Sequence, residues 1–226
     1  MQHGIEQLEQ LIEDVIAATG ADAPDLLSSD SPVLSLGEGA SFYLIGLIGG
    51  KDVGKSSLVN ALVGLPISAA SAAGPGTRGV VAYVHQKTAR EIEALLERTV
   101  PGRFSIVCHE NPALLRQVLL DLPDIDSVWT DHVQTTRRML RHMLFPIWVQ
   151  SVEKYADQQP LQLLARVAEG NDPGNFLFVI NKIDLVADRD GPDAAAEICA
   201  DFADRVAHAL DLQSAPEVFA VSAVRP

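Results

Sequence analysis

The chain has 226 residues, of which 47% are hydrophobic, and it carries a formal net charge of −13 at pH 7. This length and apolar content suffice for one α/β core with helices on both faces of a sheet, so we expect one main domain. The acidic excess disfavours broad nucleic-acid binding, which depends on neutralising phosphates with lysine and arginine, so no nucleic-acid partner is expected for this segment.

The first 40 residues differ in character from the rest of the chain. Residues 4–19 place apolar side chains at helical spacing with acidic residues between them, which is typical of an amphipathic helix. Residues 20–40 are rich in Ala, Asp, Ser, Pro and Gly, and their prolines would break a helix. We therefore predict an N-terminal helix and linker at residues 1–40 and the main domain at residues 41–226.

The first motif with a chemical meaning is GGKDVGKS at residues 49–56. An apolar run at residues 44–48 precedes it and a helical pattern at residues 58–63 follows it, which is the strand–loop–helix setting of the phosphate-binding loop. In such a loop, backbone N–H groups and the positive end of the helix surround a β-phosphate. The predicted nucleotide-binding residues here are Gly50, Lys51, Asp52, Val53, Gly54, Lys55, Ser56 and Ser57.

Two residues of this loop have more specific roles. Lys55 would place a mobile positive charge on the β- and γ-phosphates, and the Ser56 hydroxyl would ligate Mg²⁺. The alternative is a glycine-rich turn that matches the motif by chance. Because the flanking strand and helix are both indicated, we predict a site for a nucleoside triphosphate.

An insertion separates the strand predicted at residues 80–84 from the apolar run at residues 117–120. Its length of about thirty residues calls for structure of its own. A capping-box pattern at residues 88–91 predicts a helix that runs to about Thr99, and residues 104–108 predict an additional strand. The helix residues expected to face the core are Ile92, Leu95 and Leu96.

Residues 131–144 predict a further helix, which is followed by a central strand at residues 145–150 with a proline near its start. This helix carries a basic patch formed by Arg137, Arg138, Arg141 and His142. The patch could contact a second protomer across the nucleotide, and a solvated helix face is the simpler alternative.

A second motif follows the apolar run at residues 176–180 and consists of Asn181, Lys182, Ile183 and Asp184. Guanine presents an N1–H and an exocyclic amine, and one carboxylate accepts both hydrogen bonds, which adenine cannot supply. Asp184 is therefore predicted to select guanine. Lys182 would lie along the purine face and Asn181 would tie the base loop to the phosphate loop. An ordinary polar turn is the alternative interpretation.

With these two motifs in order, the chain resembles the translation-factor-related P-loop GTPases. The resemblance implies a three-layer α/β fold with a mostly parallel central sheet flanked by helices, and GTP and GDP as ligands together with Mg²⁺. It assigns Thr77 the role of the switch threonine that closes on Mg²⁺ and the γ-phosphate, and Asp121 the role of holding Mg²⁺ through a water molecule. Ser222 and Ala223 resemble the last guanine motif, in which a backbone N–H meets the base oxygen.

The third motif of the family is altered in this chain. Asp124 stands where the family has a glycine, and a carboxylate there would repel the γ-phosphate unless it points away or is protonated. Ile125 replaces the water-orienting glutamine, as in the Era-like and dynamin-like groups. The resemblance then makes Lys51 a candidate catalytic cation, Asp52 a candidate ligand of K⁺, and Arg78 a further cation within reach. For each of these side chains, a solvated loop position is the alternative.

The sequence thus predicts a GTPase that converts GTP to GDP slowly with Mg²⁺ and acts as a molecular switch or an assembly-coupled enzyme. Its catalytic residues would be Lys55, Thr77 and Lys51. One alternative is a non-hydrolysing GTP-binding scaffold, and a more distant one is an ATP-dependent P-loop enzyme, which would share the phosphate loop but not the guanine motif. Besides guanine nucleotide, the expected partner is a second copy of the chain across the nucleotide face.

The expected location of the protein is cytoplasmic. Cys108 and Cys199 lie far apart and outside any CxxC arrangement, which indicates free thiols in a reducing compartment. No apolar run reaches the roughly 18 residues of a membrane helix, and residues 1–20 are too acidic for a signal peptide. The family adds a final helix after the position of Ala223, so we expect the domain to lack it and any membrane contact to lie beyond Pro226.

Overall fold

The computed structural model describes residues 10, 14, 33–36, 40–68, 79–125 and 130–223. The predictions for the helix at residues 4–19, apart from Gln10 and Asp14, and for Thr77 and Arg78 therefore lie outside the described residues. Gln10 and Asp14 are helical, and Gln10 Nε2 donates a hydrogen bond of 2.8 Å to Asp14 Oδ1.

The apolar runs form strands and the amphipathic segments form helices, in alternation along most of the chain. In order, the elements are β1 (Val33–Leu36), β2 (Ala40–Ile48), α1 (Lys55–Val63), β3 (Val80–His85), α2 (Ala89–Thr99), β4 (Phe104–His109), β5 (Gln117–Asp121), α3 (Thr130–Leu140), β6 (Phe145–Ser151), α4 (Gln158–Ala168), β7 (Leu177–Asn181), α5 (Asp184–Asp190), α6 (Pro192–Leu210) and β8 (Val218–Ala220). Short 3₁₀ turns lie at Pro112–Leu114 and Pro173–Asn175 in the described part of the chain.

The strands of the described chain form one sheet in the order β4-β3-β5-β2-β6-β7-β8, with β1 paired to the first half of β2. From β5 to β8 all neighbouring strands are parallel, whereas β3 runs antiparallel to β5. A parallel neighbour needs a crossover connection, which the helices between the strands supply. The predicted three-layer α/β fold with a mostly parallel sheet is confirmed.

The core has two parts because alternate side chains of each strand point to opposite faces of the sheet. Along β2, Leu44 and Ile48 belong to one buried cluster, while Ile45 and Leu47 belong to the other. Helices α2, α3, α4 and α6 contribute to the first cluster, and α1 contributes to the second. Both faces of β2 are thus buried, which explains why its sequence is a continuous apolar run.

The linker prediction is wrong at its C-terminal part. β1 at Val33–Leu36 pairs antiparallel with β2, which itself begins at Ala40. The segment has four residues between stretches rich in serine and glycine, too short for its period to stand out in the sequence. A strand of this length is stabilised by the hydrogen bonds of its neighbour rather than by its own residues.

The insertion between β3 and β5 contains the predicted helix and strand. Helix α2 buries Ile92, Leu95 and Leu96, and β4 extends the sheet parallel to β3. The predicted capping box is not formed, because Thr88 Oγ1 donates to the carbonyl oxygen of His85 at 3.0 Å and makes no side-chain cap on α2. The helix was predicted correctly, although the capping box from which it was predicted is not formed.

The helix predicted at residues 131–144 is shorter in the structure, since α3 ends at Leu140. Tight backbone turns follow it, in which His142 N donates to Met139 O and Met143 N to Leu140 O. Strand β6 occupies the predicted central position between β2 and β7. None of the helices in the described part of the chain is long and apolar enough to cross a membrane.

Candidate nucleotide-binding site

The predicted motifs meet at one edge of the sheet. The phosphate loop follows the carboxyl end of β2, Asp121 ends β5, the guanine motif follows β7, and Ser222 follows β8. These four strands are parallel to one another, so their carboxyl ends lie on the same side of the sheet. Ligands of open α/β sheets bind at that edge, outside the carboxyl ends of the strands.

The phosphate loop turns sharply into α1 at Gly54. This residue has a φ of 93°, in the left-handed region that glycine adopts without steric cost. A Cβ atom at Gly54 would collide with the amide nitrogen of Asn181. Gly54 O also accepts the hydrogen bond of Leu58 N at 3.0 Å, so the turn leads directly into the helix. The loop thus needs glycine here both for its backbone and for the approach of Asn181.

A Gly54→Ala substitution should therefore reduce both stability and nucleotide affinity, the latter by about tenfold or more, because it combines backbone strain with loss of the Asn181 contact. Gly64→Ala is the matched control, since Gly64 has a φ of 73° but nothing within 4 Å of an added Cβ. Thermal unfolding and nucleotide titration would measure both variants. Equal nucleotide affinities for the two variants would contradict the prediction.

Lys55 begins α1 and has its side chain buried at 6% exposure. Its ammonium nitrogen donates to Gly49 O at 3.2 Å and to Gly50 O at 2.9 Å. It also forms an ion pair of 2.6 Å with Asp124 Oδ1. The cation of the phosphate loop is thus held between two carbonyl groups and a carboxylate.

Ser56 and Asp121 form the part of the site that could hold a metal ion. Ser56 Oγ donates to Asp121 Oδ2 at 3.2 Å, whereas Asp121 Oδ1 is buried with no hydrogen-bond partner among the described residues. Burial raises the pKa of Asp121, while the nearby Lys55 charge and the Ser56 hydrogen bond act in the opposite direction. A hydroxyl beside a carboxylate with an unsatisfied oxygen matches the oxygen ligands that Mg²⁺ prefers.

The guanine motif is tied to the phosphate loop by Asn181. Its side-chain Nδ2 donates to Val53 O at 3.1 Å, and its Oδ1 accepts from Lys182 N at 2.8 Å and from Ala223 N at 3.2 Å. Asp184 Oδ1 accepts a hydrogen bond of 2.7 Å from Ser222 Oγ. One buried amide therefore joins the loops after β2, β7 and β8.

The other predicted site residues are less closely associated with this network. Lys51 and Asp52 are exposed near the tip of the phosphate loop, where Asp52 has a φ of 62°. The Lys182 ammonium group binds Glu153 Oε2 at 2.6 Å. Thr77 lies outside the described residues, so its place in the site stays a prediction.

Three residues at this edge were missed from the sequence. Glu153 pairs with Lys182, Lys154 Nζ donates to Lys51 O at 2.9 Å, and His132 Nδ1 lies 3.0 Å from Asp124 O. Glu153 and Lys154 follow β6, which neighbours β7, so a correct strand order would have indicated their proximity to the base loop. No sequence signal marks His132, because its contact depends on how α3 packs.

Structural comparison identifies proteins of the same fold. A bacterial dynamin pair, described as a mechanism for long-range sensing and tethering of membranes, matches with a TM-score of 0.58 and 14% identity over 99% of this chain. Chloroplast translocon components, for whose GTPase activity dimerization is important, match with a TM-score of 0.53 and 15% identity over 80% of this chain and 70% of theirs.

The chain spans 37% and 39% of the length of the two bacterial dynamin structures that it matches. No protein-family profile and no curated protein matches it by sequence. The order of the strands, the position of the motifs at one edge and the matched structures agree with one another. The chain therefore has the fold of the P-loop GTPases that include the dynamin-like proteins, which confirms the resemblance drawn from its motifs at the level of the fold.

Proposed function

We propose that this chain binds GTP and GDP together with Mg²⁺ and hydrolyses GTP to GDP at a low intrinsic rate, as a molecular switch or an assembly-coupled GTPase. The observation that carries the proposal is the Asn181 side chain, which hydrogen-bonds Val53 of the phosphate loop and Ala223 of the last motif. Asp184 lies in the same network through Ser222. A loop suited to phosphates and a carboxylate suited to guanine are thereby held as one unit.

Each part of the proposed site has a defined task. Loop amides and Lys55 would neutralise phosphate charge, and Ser56, Thr77 and Asp121 would hold the metal ion. Lys182 and Asp184 hold the purine. When bound, Mg²⁺ would neutralise charge on the phosphate oxygens. The unsatisfied oxygen of Asp121 supports this assignment.

The low rate is expected because an isoleucine, Ile125, replaces the glutamine that orients the attacking water in other members of the family. Ile125 is buried at 2% exposure, and its apolar side chain cannot orient the attacking water. Lys51 in cis, or K⁺ held by Asp52, would then supply the missing stabilisation. Dimerization matters for the GTPase activity of the matched translocon components, which supports a homodimer across the nucleotide face as a route to faster hydrolysis. We propose a cytoplasmic location for the protein, which its free cysteines Cys108 and Cys199 support.

Single-turnover hydrolysis of GTP, measured in potassium and in sodium buffer, tests the proposed GTPase activity. The wild type should hydrolyse GTP slowly, and chelation of Mg²⁺ should abolish the reaction. Lys51→Ala should lower the rate by about tenfold, which is less than the roughly 100-fold that one preorganised donor in a buried site supplies, because Lys51 is exposed. Lys87→Ala is the matched control, because Lys87 is an exposed lysine in the turn after β3. An unchanged rate in Lys51→Ala would remove Lys51 from the mechanism.

A non-hydrolysing GTP-binding scaffold is the second candidate. The ion pair between Lys55 and Asp124 favours it, because it engages the cation that would otherwise meet the transferring phosphate. The same assay separates the two candidates. A rate no higher than background in both buffers, together with retained binding of GDP, would establish the scaffold.

A further inference from the structure

The Lys55–Asp124 ion pair has no part in the hydrolytic roles assigned above. An ammonium group has three protons, and in the structure Lys55 Nζ has three acceptors at hydrogen-bond distance. These are Gly49 O, Gly50 O and Asp124 Oδ1. Any phosphate oxygen that binds Lys55 must therefore displace one of these three acceptors.

The three acceptors differ in what their displacement costs. The two carbonyl groups are neutral, and they bind more weakly than the carboxylate at 2.6 Å. The Asp124 side chain is 19% exposed and that of Lys55 is 6% exposed, so water screens their attraction only in part. A single incoming phosphate group should accordingly displace one carbonyl group and share the lysine with Asp124.

The position of Asp124 is built into the fold. Its carbonyl oxygen lies 3.0 Å from His132 Nδ1, and since a carbonyl only accepts, this nitrogen carries the proton. On the other side of the peptide, Ile125 N donates to Gly49 O, and Leu122 N donates to Leu47 O at 3.1 Å. Contacts with α3, β2 and the phosphate loop thus hold the backbone that presents the carboxylate to Lys55.

A diphosphate and a triphosphate make different demands on this arrangement. A β-phosphate is bound mainly by the loop amides and the N-terminus of α1, so it can share Lys55 with a carboxylate. Asp124 occupies the motif position that the resemblance places at the γ-phosphate, so a γ-phosphate would bring further negative charge beside that carboxylate. Like charges brought together in a partly desolvated site disfavour binding strongly.

We infer that Asp124 is a specificity-determining residue that makes the site prefer GDP to GTP, because its carboxylate occupies the lysine that the γ-phosphate requires. The inference rests on the proposed function, since it concerns the same nucleotide site. Entry of the γ-phosphate should drive Asp124 away from Lys55, because the two negative charges repel each other. The diphosphate state is thus the resting state of the protein, and the triphosphate state is reached by breaking this ion pair.

Equilibrium binding of fluorescent GDP and of a fluorescent non-hydrolysable GTP analogue, both with Mg²⁺, tests the inference without requiring hydrolysis. The wild type should bind GDP at least about tenfold more tightly than the GTP analogue. Asp124→Asn, which keeps the side-chain volume, and Asp124→Gly should each strengthen binding of the GTP analogue about tenfold or more, with a much smaller change for GDP.

Glu153→Gln is the matched control, because it removes a carboxylate at the same edge of the sheet but on Lys182. It should change the affinities for both nucleotides by the same factor. A wild-type protein that binds both nucleotides equally, or an affinity ratio that is unchanged in both Asp124 variants, would overturn the inference while leaving the proposed function intact. Failure of the wild type to bind either nucleotide would overturn both. If neither Asp124 variant folds, the ratio of the wild-type affinities for GDP and for the GTP analogue tests the inference, and a ratio near one overturns it.

Discussion

An Asp184→Asn variant should lose its affinity for guanine nucleotides and gain affinity for xanthine nucleotides. The carboxylate accepts two hydrogen bonds from guanine, while an amide offers one acceptor and one donor, which suits the additional carbonyl group of xanthine. In the variant, the amide oxygen can still accept from guanine N1–H, but the amide NH₂ group faces the exocyclic amine. Loss of one charge-assisted hydrogen bond, worth about 1.5–3 kcal/mol, together with two unpaired donors should weaken GDP binding by about 100-fold or more.

Competition of GDP, its xanthine counterpart and ADP against a fluorescent guanine nucleotide would measure this change. In the structure, Ser222 Oγ donates to Asp184 Oδ1, and the same hydroxyl can donate to the amide oxygen of the variant. Asp188→Asn is the matched control, because Asp188 is an exposed carboxylate one turn further along α5. If Asp184→Asn still preferred GDP, the base would be recognised by another group.

Replacement of Lys55 by alanine should strongly weaken nucleotide binding and also destabilise the fold. Lys55 is the only buried lysine among the described residues. Its removal would eliminate a charge-assisted contact to each of two phosphates, so the affinity for the nucleotide should fall by about 100-fold or more. The fold loses the partner of the Asp124 carboxylate, which is only 19% exposed. Removing one member of such a pair costs about 2 kcal/mol or more of unfolding free energy.

The double variant with alanine at both Lys55 and Asp124 separates the two effects. Removal of both charges leaves no unpaired carboxylate, so most of the lost stability should return, while nucleotide binding should not. Chemical denaturation and nucleotide titration of the two single variants and the double variant would measure both quantities. A Lys55→Ala protein with wild-type nucleotide affinity would refute the phosphate-binding role of the loop.

Much of the fold was predictable because its signals are local. Strand β7 was predicted from an apolar run, and helix α2 was predicted from a capping-box pattern with apolar residues after it; both lie close to their predicted limits. The cap of α2 was not predictable, since Thr88 bonds to His85 rather than to the helix. Strand β1 was missed because its formation depends on pairing with β2, which no pattern within four residues reveals.

The candidate site also has parts that the sequence predicted and parts that it did not. The sequence order placed Asn181 and Asp184 after a strand and downstream of the phosphate loop, which was enough to expect that the loops meet. It did not indicate the ion pair between Glu153 and Lys182 or the hydrogen bond between His132 and the carbonyl oxygen of Asp124. Those contacts join residues from different elements, and their existence depends on strand order and on the packing of α3.

What the amino-acid sequence by itself determined is the local chemistry: a glycine-rich turn that leads into a helix, and a carboxylate after a buried strand. These features depend on backbone conformations that neighbouring residues impose. Only the tertiary structure decided that the Asp124 carboxylate points to Lys55, across a separation of 69 positions in the chain. The direction of that side chain is set by contacts with β2, the phosphate loop and α3, so only the packed molecule reveals it.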